Sequence, residues 1–262
     1  MLPPGAKNGW ITQFRTIRAL MLRDMMMRYG RDNIGFVWVI LEPMILTAGV
    51  MVIWTTTMGS AKYGIKLIEL VLTGYMPLTL WRHMTNSCVT LFRRSAPLLY
   101  HRNITLYDIV IARVLLEFIA ATAAFLVVWG TIYLAGLAAA IASWDLLILG
   151  WLMMGWLAAA SGLLLASLTE LSETSERFVQ PIQYLSIPIS GAFSPVDWLP
   201  QWAQDAILLN PMAHCYEVFR AGYFGPTYAA HYSLMYFSCV AGILSFVGIA
   251  SVRWIRPRVQ LN

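Results

Sequence analysis

The sequence predicts an all-α integral membrane protein: six transmembrane helices, an N-terminal amphipathic interfacial helix, and short re-entrant or outer-side helices between spans five and six. Three observations predict it. First, 59% of the 262 residues are hydrophobic and 12% are charged, against roughly 45–50% and 25% in a soluble domain. So little charge cannot cover a soluble surface, which argues against a soluble enzyme, a disordered chain or a nucleic-acid-binding domain. Second, five stretches of 19 to 32 residues (43–61, 118–144, 146–169, 178–196 and 221–252) hold no Asp, Glu, Lys or Arg. A sixth, 70–81, holds 12 residues and reaches spanning length only with its flanks. The expected spans are about 34–58, 67–91, 107–135, 146–168, 178–194 and 230–252. Third, an even number of spans puts both termini on one side, and Lys and Arg then divide 15 against 3 in favour of that side. Both termini are therefore expected in the cytoplasm. Topology accounts for the net charge of +5, and no nucleic-acid partner is needed.

Taken in order, Met1–Trp10 carries Pro3, Pro4 and Gly5 and no apolar h-region, so no cleavable signal is expected. Residues 1–33 form a cytoplasmic interfacial unit. Within it Trp10, Phe14, Ile17, Met21 and Met25 recur at helical spacing, with Arg15, Arg18 and Arg23 off the stripe. The helix either anchors at the headgroups or also touches a cytoplasmic partner. Residues 34–262 form the transmembrane domain. Its first span holds Glu42 and Pro43. A carboxylate at such depth faces protein or water, and Arg82 and Arg113 are its candidate partners. Arg113 and Glu117 stand at i, i+4 in the third span and form a second candidate pair. The 93–108 linker, RRSAPLLYHRNITLYD, is basic, is broken by Pro97, and groups Leu98, Leu99 and Tyr100. It reads as a lipid-bound loop or as a docking helix. The fourth span carries AAASG at 158–162, small residues that let backbones approach closely. The following loop holds Glu170, Glu173, Glu176 and Arg177 and reads as a solvated hinge or as a partner for a basic surface.

The fifth span is polar, and Gln180, Gln183 and Ser190 are expected on one face with Tyr184 beside them. Amides in hydrocarbon need partners, so these residues either bond neighbouring helices or line a wet passage. Trp38 is a second passage candidate. Residues 194–225 are cut by Pro195, Pro200 and Pro211 into pieces too short to span. Trp198 and Trp202 suit an interface there, and Asn210-Pro211 separates the two short helices.

No Gly-Lys pair occurs, so the chain has no P-loop. Its four histidines and three cysteines (Cys88, Cys215 and Cys239) show no metal-ligand or disulfide spacing. No acid/base couple is visible, and no catalytic or metal-binding residue is expected. Any work must draw on a partner or an ion gradient. An ion-coupled secondary transporter would need midplane carboxylates, and Glu42 and Glu117 lie toward the cytoplasmic side. A membrane transferase would need a catalytic base on a loop.

Residues 20–44, LMLRDMMMRYGRDNIGFVWVILEPM, resemble the N-terminal signature of ABC-2 type export permeases, with Ile34-Gly35 where Leu-Gly is commoner. Residues 178–225, FVQPIQYLSIPISGAFSPVDWLPQWAQDAILLNPMAHCYEVFRAGYFG, resemble the C-terminal signature, and 103–118 also fits. The closest likeness is to permeases that export capsular polysaccharide, with O-antigen permeases next and teichoic-acid or lipo-oligosaccharide exporters as alternatives. The resemblance implies a non-enzymatic transport subunit in a Gram-negative inner membrane. It implies a homodimer with two nucleotide-binding ATPase subunits that hold ATP and Mg, this chain carrying no cofactor. A periplasmic polysaccharide co-polymerase and an outer-membrane export protein are the further implied partners, and a lipid-linked polysaccharide is the cargo. Arg93, Arg94, Pro97, Leu98, Leu99, Tyr100 and Arg102 then meet the ATPase, with the 170–177 loop nearby. The short helices around Trp198, Trp202, Asn210 and Pro211 shape the periplasmic exit. A sugar chain offers C–H faces to aromatic rings and hydroxyls to amides, which suits Trp38, Gln180, Gln183 and Tyr184.

Overall fold

A computed structural model describes residues 4–29, 61–62, 65–100 and 104–259, with isolated helical positions 45, 49, 52 and 53. Trp38, Glu42 and Arg102, with most of the expected first span, lie outside the described residues, as does the side chain of Tyr100.

Helix α1 (Pro4–Tyr29) leads to a two-stranded antiparallel ribbon, β1 (Ala61–Lys62) and β2 (Ile65–Lys66). Then come α2 (Leu67–Cys88), α3 (Leu91–Ser95) and a 3-10 turn, Ala96–Tyr100. Two long helices follow, α4 (Leu106–Leu134) and α5 (Trp144–Leu171), and then α6 (Glu173–Ser186). A 3-10 turn at Val196–Trp198 precedes α7 (Gln201–Ile207) and α8 (Pro211–Phe224). After another turn at Gly225–Thr227, α9 (Leu234–Val259) closes the described chain.

Among the described residues three helices, α4, α5 and the Leu234–Pro257 part of α9, are long and apolar enough to cross a membrane. They coincide with expected spans three, four and six. Thr105 starts α4 through a capping box: its hydroxyl accepts from the Asp108 N–H, and its own N–H donates to the Asp108 carboxylate at 3.0 Å. Helix α2 answers to expected span two but stops at Cys88, because Thr90 adopts a left-handed φ of 55°. It runs through the centre of the bundle, burying Val71, Leu72, Met76, Leu80 and Met84. The outer face of α9 exposes Ile243, Phe246 and Ile249, a surface matched to hydrocarbon.

Three expectations need correction. The fifth span does not run as one helix over 178–194: α6 begins at Glu173, ends at Ser186 and is followed by turns. The supposed 170–177 hinge shrinks to Ser172, with Glu170 in the last turn of α5 and Glu173, Glu176 and Arg177 opening α6. Acidic side chains are favoured at a helix start, where the backbone N–H groups are unpaired. Of the re-entrant or surface-lying short helices expected in the 194–225 region, the second is not surface-lying. Helix α8 has 14 residues, and every residue from Met212 to Tyr223 is buried.

The core has a cluster at each end of the bundle. At the end bearing α1 and the last turns of α9, Leu20 meets Phe92, Ile109, Val252 and Ile255. At the opposite end, Phe125, Trp151 and Phe219 gather with centroids 5.2 to 5.7 Å apart. Helices α5 and α8 pack there almost backbone to backbone: a Cβ on Gly222 would lie 2.2 Å from the Leu147 nitrogen. Gly222→Ala is therefore expected to lower the thermal midpoint of the purified protein, at a cost of about 1–3 kcal/mol or more.

Candidate functional site

Three polar groupings stand out in this apolar framework. The first lies at the terminus-bearing end, where α3 meets the α5–α6 junction. Arg93 donates to the Thr169 carbonyl at 2.8 Å, capping the last turn of α5. Its guanidinium also faces Glu170 at 4.0 Å and Glu176 at 3.7 Å. Next to it the Thr90 N–H donates to the Thr169 hydroxyl at 3.1 Å. The structure thus brings together Arg93, Glu170 and Glu176, which the sequence places in two separate loops. Arg94 and Pro97 remain exposed, while Leu98 and Leu99 pack against the core. The apolar pair holds the segment to its own protein, leaving Arg94 exposed. Arg177 is exposed at the start of α6.

Helix α1 docks on α4 beside this cluster. Its inward face is Ile17, Leu20, Met21 and Asp24, and Gln13 donates to the Asp108 carboxylate at 3.2 Å. Phe14, on the apolar stripe of the expected interfacial helix, is 69% exposed. Arg113 lies between Asp24 at 3.5 Å and Glu117 at 3.7 Å, and Glu117 is 1% exposed. The expected Arg113–Glu117 pair is therefore one edge of a trio. Asp24 was missed because an acid in a basic helix reads as a solvated charge.

The second grouping is a polar seam between α2 and α6. Gln180 donates to the Asn86 side chain at 3.1 Å, and Gln183 donates to the Thr85 hydroxyl at 2.9 Å. The Arg82 guanidinium sits 4.8 Å from the centre of the Tyr184 ring, a cation–π distance. Arg82 was expected in an ion pair; Glu42, its proposed partner, lies outside the described residues. Gln183 is buried, and its Oε1 meets no donor among the described residues. Ser190 does not share this face. It sits in the turn beyond α6, where its hydroxyl donates to the Ile187 carbonyl at 2.7 Å. The signal that sequence reading passed over was Arg82, Thr85 and Asn86 at i, i+3 and i+4, a polar stripe on one side of α2. If the seam borders a passage, Tyr184→Ala and Gln183→Leu should each slow transport while membrane insertion stays normal; wild-type rates in both place the passage elsewhere.

The third grouping went unrecognised. Arg220 was counted among the few cations outside the membrane on the far side. It is instead fully buried, so it has no bearing on a rule that counts loop charges. Its guanidinium donates to the Gly191 carbonyl at 2.8 Å and the Ala192 carbonyl at 2.5 Å. It faces the Glu217 carboxylate at 4.0 Å and the Tyr216 ring at 5.6 Å. Glu217 accepts from the Val196 N–H at 3.2 Å, the Tyr228 hydroxyl at 2.8 Å and the His231 N–H at 3.0 Å. One buried pair thus ties the turns on both sides of α8 to that helix. Helix α2 closes against the same turn, where a Cβ on Gly74 would lie 2.0 Å from the Ala192 carbonyl oxygen. Asn210 caps α8 by accepting from the Met212 N–H and donates to the Ile189 carbonyl, both at 3.0 Å. Pro211 is the first residue of the helix rather than a breaker, since its missing N–H has no partner to lose there. Trp202 stays exposed on α7 and Trp198 is half-buried. His214 accepts from the Ser233 N–H at 3.0 Å and lies 2.9 Å from the Leu208 carbonyl; burial lowers its pKa.

Among the described residues no group of three or more His, Cys, Asp or Glu is placed to hold a metal. Among the described residues the arrangement offers helix seams and buried ties.

Comparison with known proteins adds to this geometry. The ABC-2 type transporter family matches residues 15–224. The chain is 34% identical over 242 residues to the capsule polysaccharide export inner-membrane protein CtrC of Neisseria meningitidis serogroup A, covering 92% of this chain and 91% of that protein. It is 32% identical to the capsule polysaccharide export inner-membrane protein BexB of Haemophilus influenzae, covering 94% and 93%. It is 25% identical to the polysialic acid transport protein KpsM of Escherichia coli, covering 95% and 96%.

Proposed function

The chain belongs to the ABC-2 type transporter family, and on that premise we propose that it is the permease subunit of an ATP-binding cassette exporter. Its cargo is lipid-linked capsular polysaccharide, moved across the inner membrane of a Gram-negative bacterium. The observation that carries this reading is likeness along nearly the whole chain to relatives named for capsule polysaccharide export.

Two copies of the chain form the membrane part, each with six spans and both termini in the cytoplasm. Two separate ATPase subunits bind ATP and Mg and dock where Arg93, Arg94 and the start of α6 meet. The hydrogen bonds of Thr90 and Arg93 to Thr169 and the ion pair of Arg93 with Glu176 support that choice, because a push on α3 there reaches α5 and α6 through direct contacts. The buried Arg220–Glu217 tie holds the outer segment in one shape while the cytoplasmic end moves. The glycan then passes to a periplasmic co-polymerase and an outer-membrane export protein.

The test is reconstitution. Expressed together with a partner ATPase subunit, the chain is expected to restore surface polysaccharide to a capsule-export-deficient strain. The purified chain alone is expected to hydrolyse no ATP, and measurable hydrolysis by it overturns the two-subunit reading.

A further inference from the structure

A cavity of about 390 Å³ opens at the end of the bundle opposite the termini. That is within the size of small-molecule sites, roughly 300–1,000 Å³. It lies between the start of α2, the 3-10 turn before α7 and the segment following α8. Trp198, Phe224 and Tyr228 supply aromatic surface; Glu69, Asp197 and Thr227 supply oxygen atoms. The Phe224 and Tyr228 rings are 5.7 Å apart and tilted by 30°.

Fixed partners hold these groups. The buried Glu69 carboxylate accepts from the Ala139 N–H at 2.7 Å. Tyr228 is held through its hydroxyl by Glu217 at 2.8 Å, and the turn that carries Asp197 and Trp198 is held by the Val196 N–H on the same carboxylate. The cavity is thus preorganised by the buried Arg220–Glu217 tie, and binding there does not first have to order its walls.

We propose that this cavity is a saccharide subsite that takes an uncharged pyranose ring of the exported glycan; it rests on the reading of the chain as a polysaccharide permease. Aromatic rings with carboxylate and hydroxyl oxygens match a sugar's two kinds of surface: its C–H face lies on the rings, and its hydroxyls donate to the carboxylate and threonine oxygens. Among the described residues that line the cavity there is neither Lys nor Arg. Its two carboxylates, Glu69 and Asp197, disfavour an acidic sugar, so the subsite selects for uncharged residues along the chain. A lone ammonium or guanidinium from a protein partner would suit the carboxylates but would leave most of the volume unfilled.

The test uses the full chain in lipid nanodiscs and saturation-transfer NMR, with methyl β-glucopyranoside as the neutral probe and sialic acid as the acidic one. Saturation transfer to the ring C–H protons of the neutral probe is expected, with little to sialic acid. Asp197→Asn, an exposed change outside the core, is expected to weaken neutral-probe binding about tenfold, as loss of a charge-assisted hydrogen bond does. Trp198→Ala is expected to remove most of the signal and Trp198→Phe to restore part of it. Equal transfer to sialic acid, no transfer to either probe, or a neutral-probe signal unchanged in both Asp197→Asn and Trp198→Ala overturns the assignment. Saturation transfer to a lysine-rich peptide without any saccharide signal identifies a basic protein partner instead and overturns it too. Polysaccharide export by cells carrying the wild-type chain separates the two readings: export without probe binding removes only the subsite, and absence of glycan export removes the permease reading.

Discussion

Replacing Arg220 with leucine is expected to unfold the outer half of the bundle more than any other single change considered above. The guanidinium is completely buried and donates to the Gly191 and Ala192 carbonyls. Removing it orphans both acceptors and leaves Glu217 as a buried charge without its cation. Breaking a buried pair from one side typically costs about 3–5 kcal/mol. The readouts are the thermal midpoint in detergent and the amount of protein accumulating in the membrane. Changing both Arg220 and Glu217 to apolar residues should cost less than the sum of the single changes, because no lone charge then remains inside. A single Arg220→Leu protein with wild-type stability would show that the pair holds nothing together.

Arg93→Ala is expected to do the reverse, leaving stability nearly intact and lowering transport. Arg93 is 36% exposed and its carboxylate partners are 3.7 to 4.0 Å away. Pairs this open contribute roughly 0–1 kcal/mol to folding. Yet its hydrogen bond to Thr169 joins α3 to the α5–α6 junction, the path proposed for the ATPase stroke. Loss of coupling of the usual size would reduce export and permease-stimulated ATP hydrolysis by roughly tenfold. Combining it with Arg94→Ala and Tyr100→Ala should deepen the loss. Unchanged export in the triple variant would move the docking surface elsewhere.

The legible part of this protein was the part governed by composition. Helices α4, α5 and α9 fall on expected spans because each is a long apolar run closed by charges. The AAASG stretch packed as its size implied: Ala158 and Ala160 are buried, and a Cβ on Gly162 would lie 2.8 Å from the Cys88 sulfur. What was misread were segments in which one residue type has two uses. Glu173 and Glu176 look like loop residues, but acids are also favoured at a helix start. Pro211 looks like a breaker, but after Asn210 it is a helix start. Arg82 and Tyr184 lie on different helices, and only their approach across the seam makes them partners.

The sequence by itself determined the membrane character, the three strongest helices and the absence of a P-loop, because those follow from counting residue types along the chain. The tertiary structure alone decided that Arg220 and Glu217 are buried together, that Arg93 reaches across to Glu170 and Glu176, and that three aromatic rings and two carboxylates share one cavity. The physical reason is the cost of an unpaired polar group in an apolar interior. That cost forces each such group to find a partner, but the partner sits on another helix at a distance in sequence that no local pattern records.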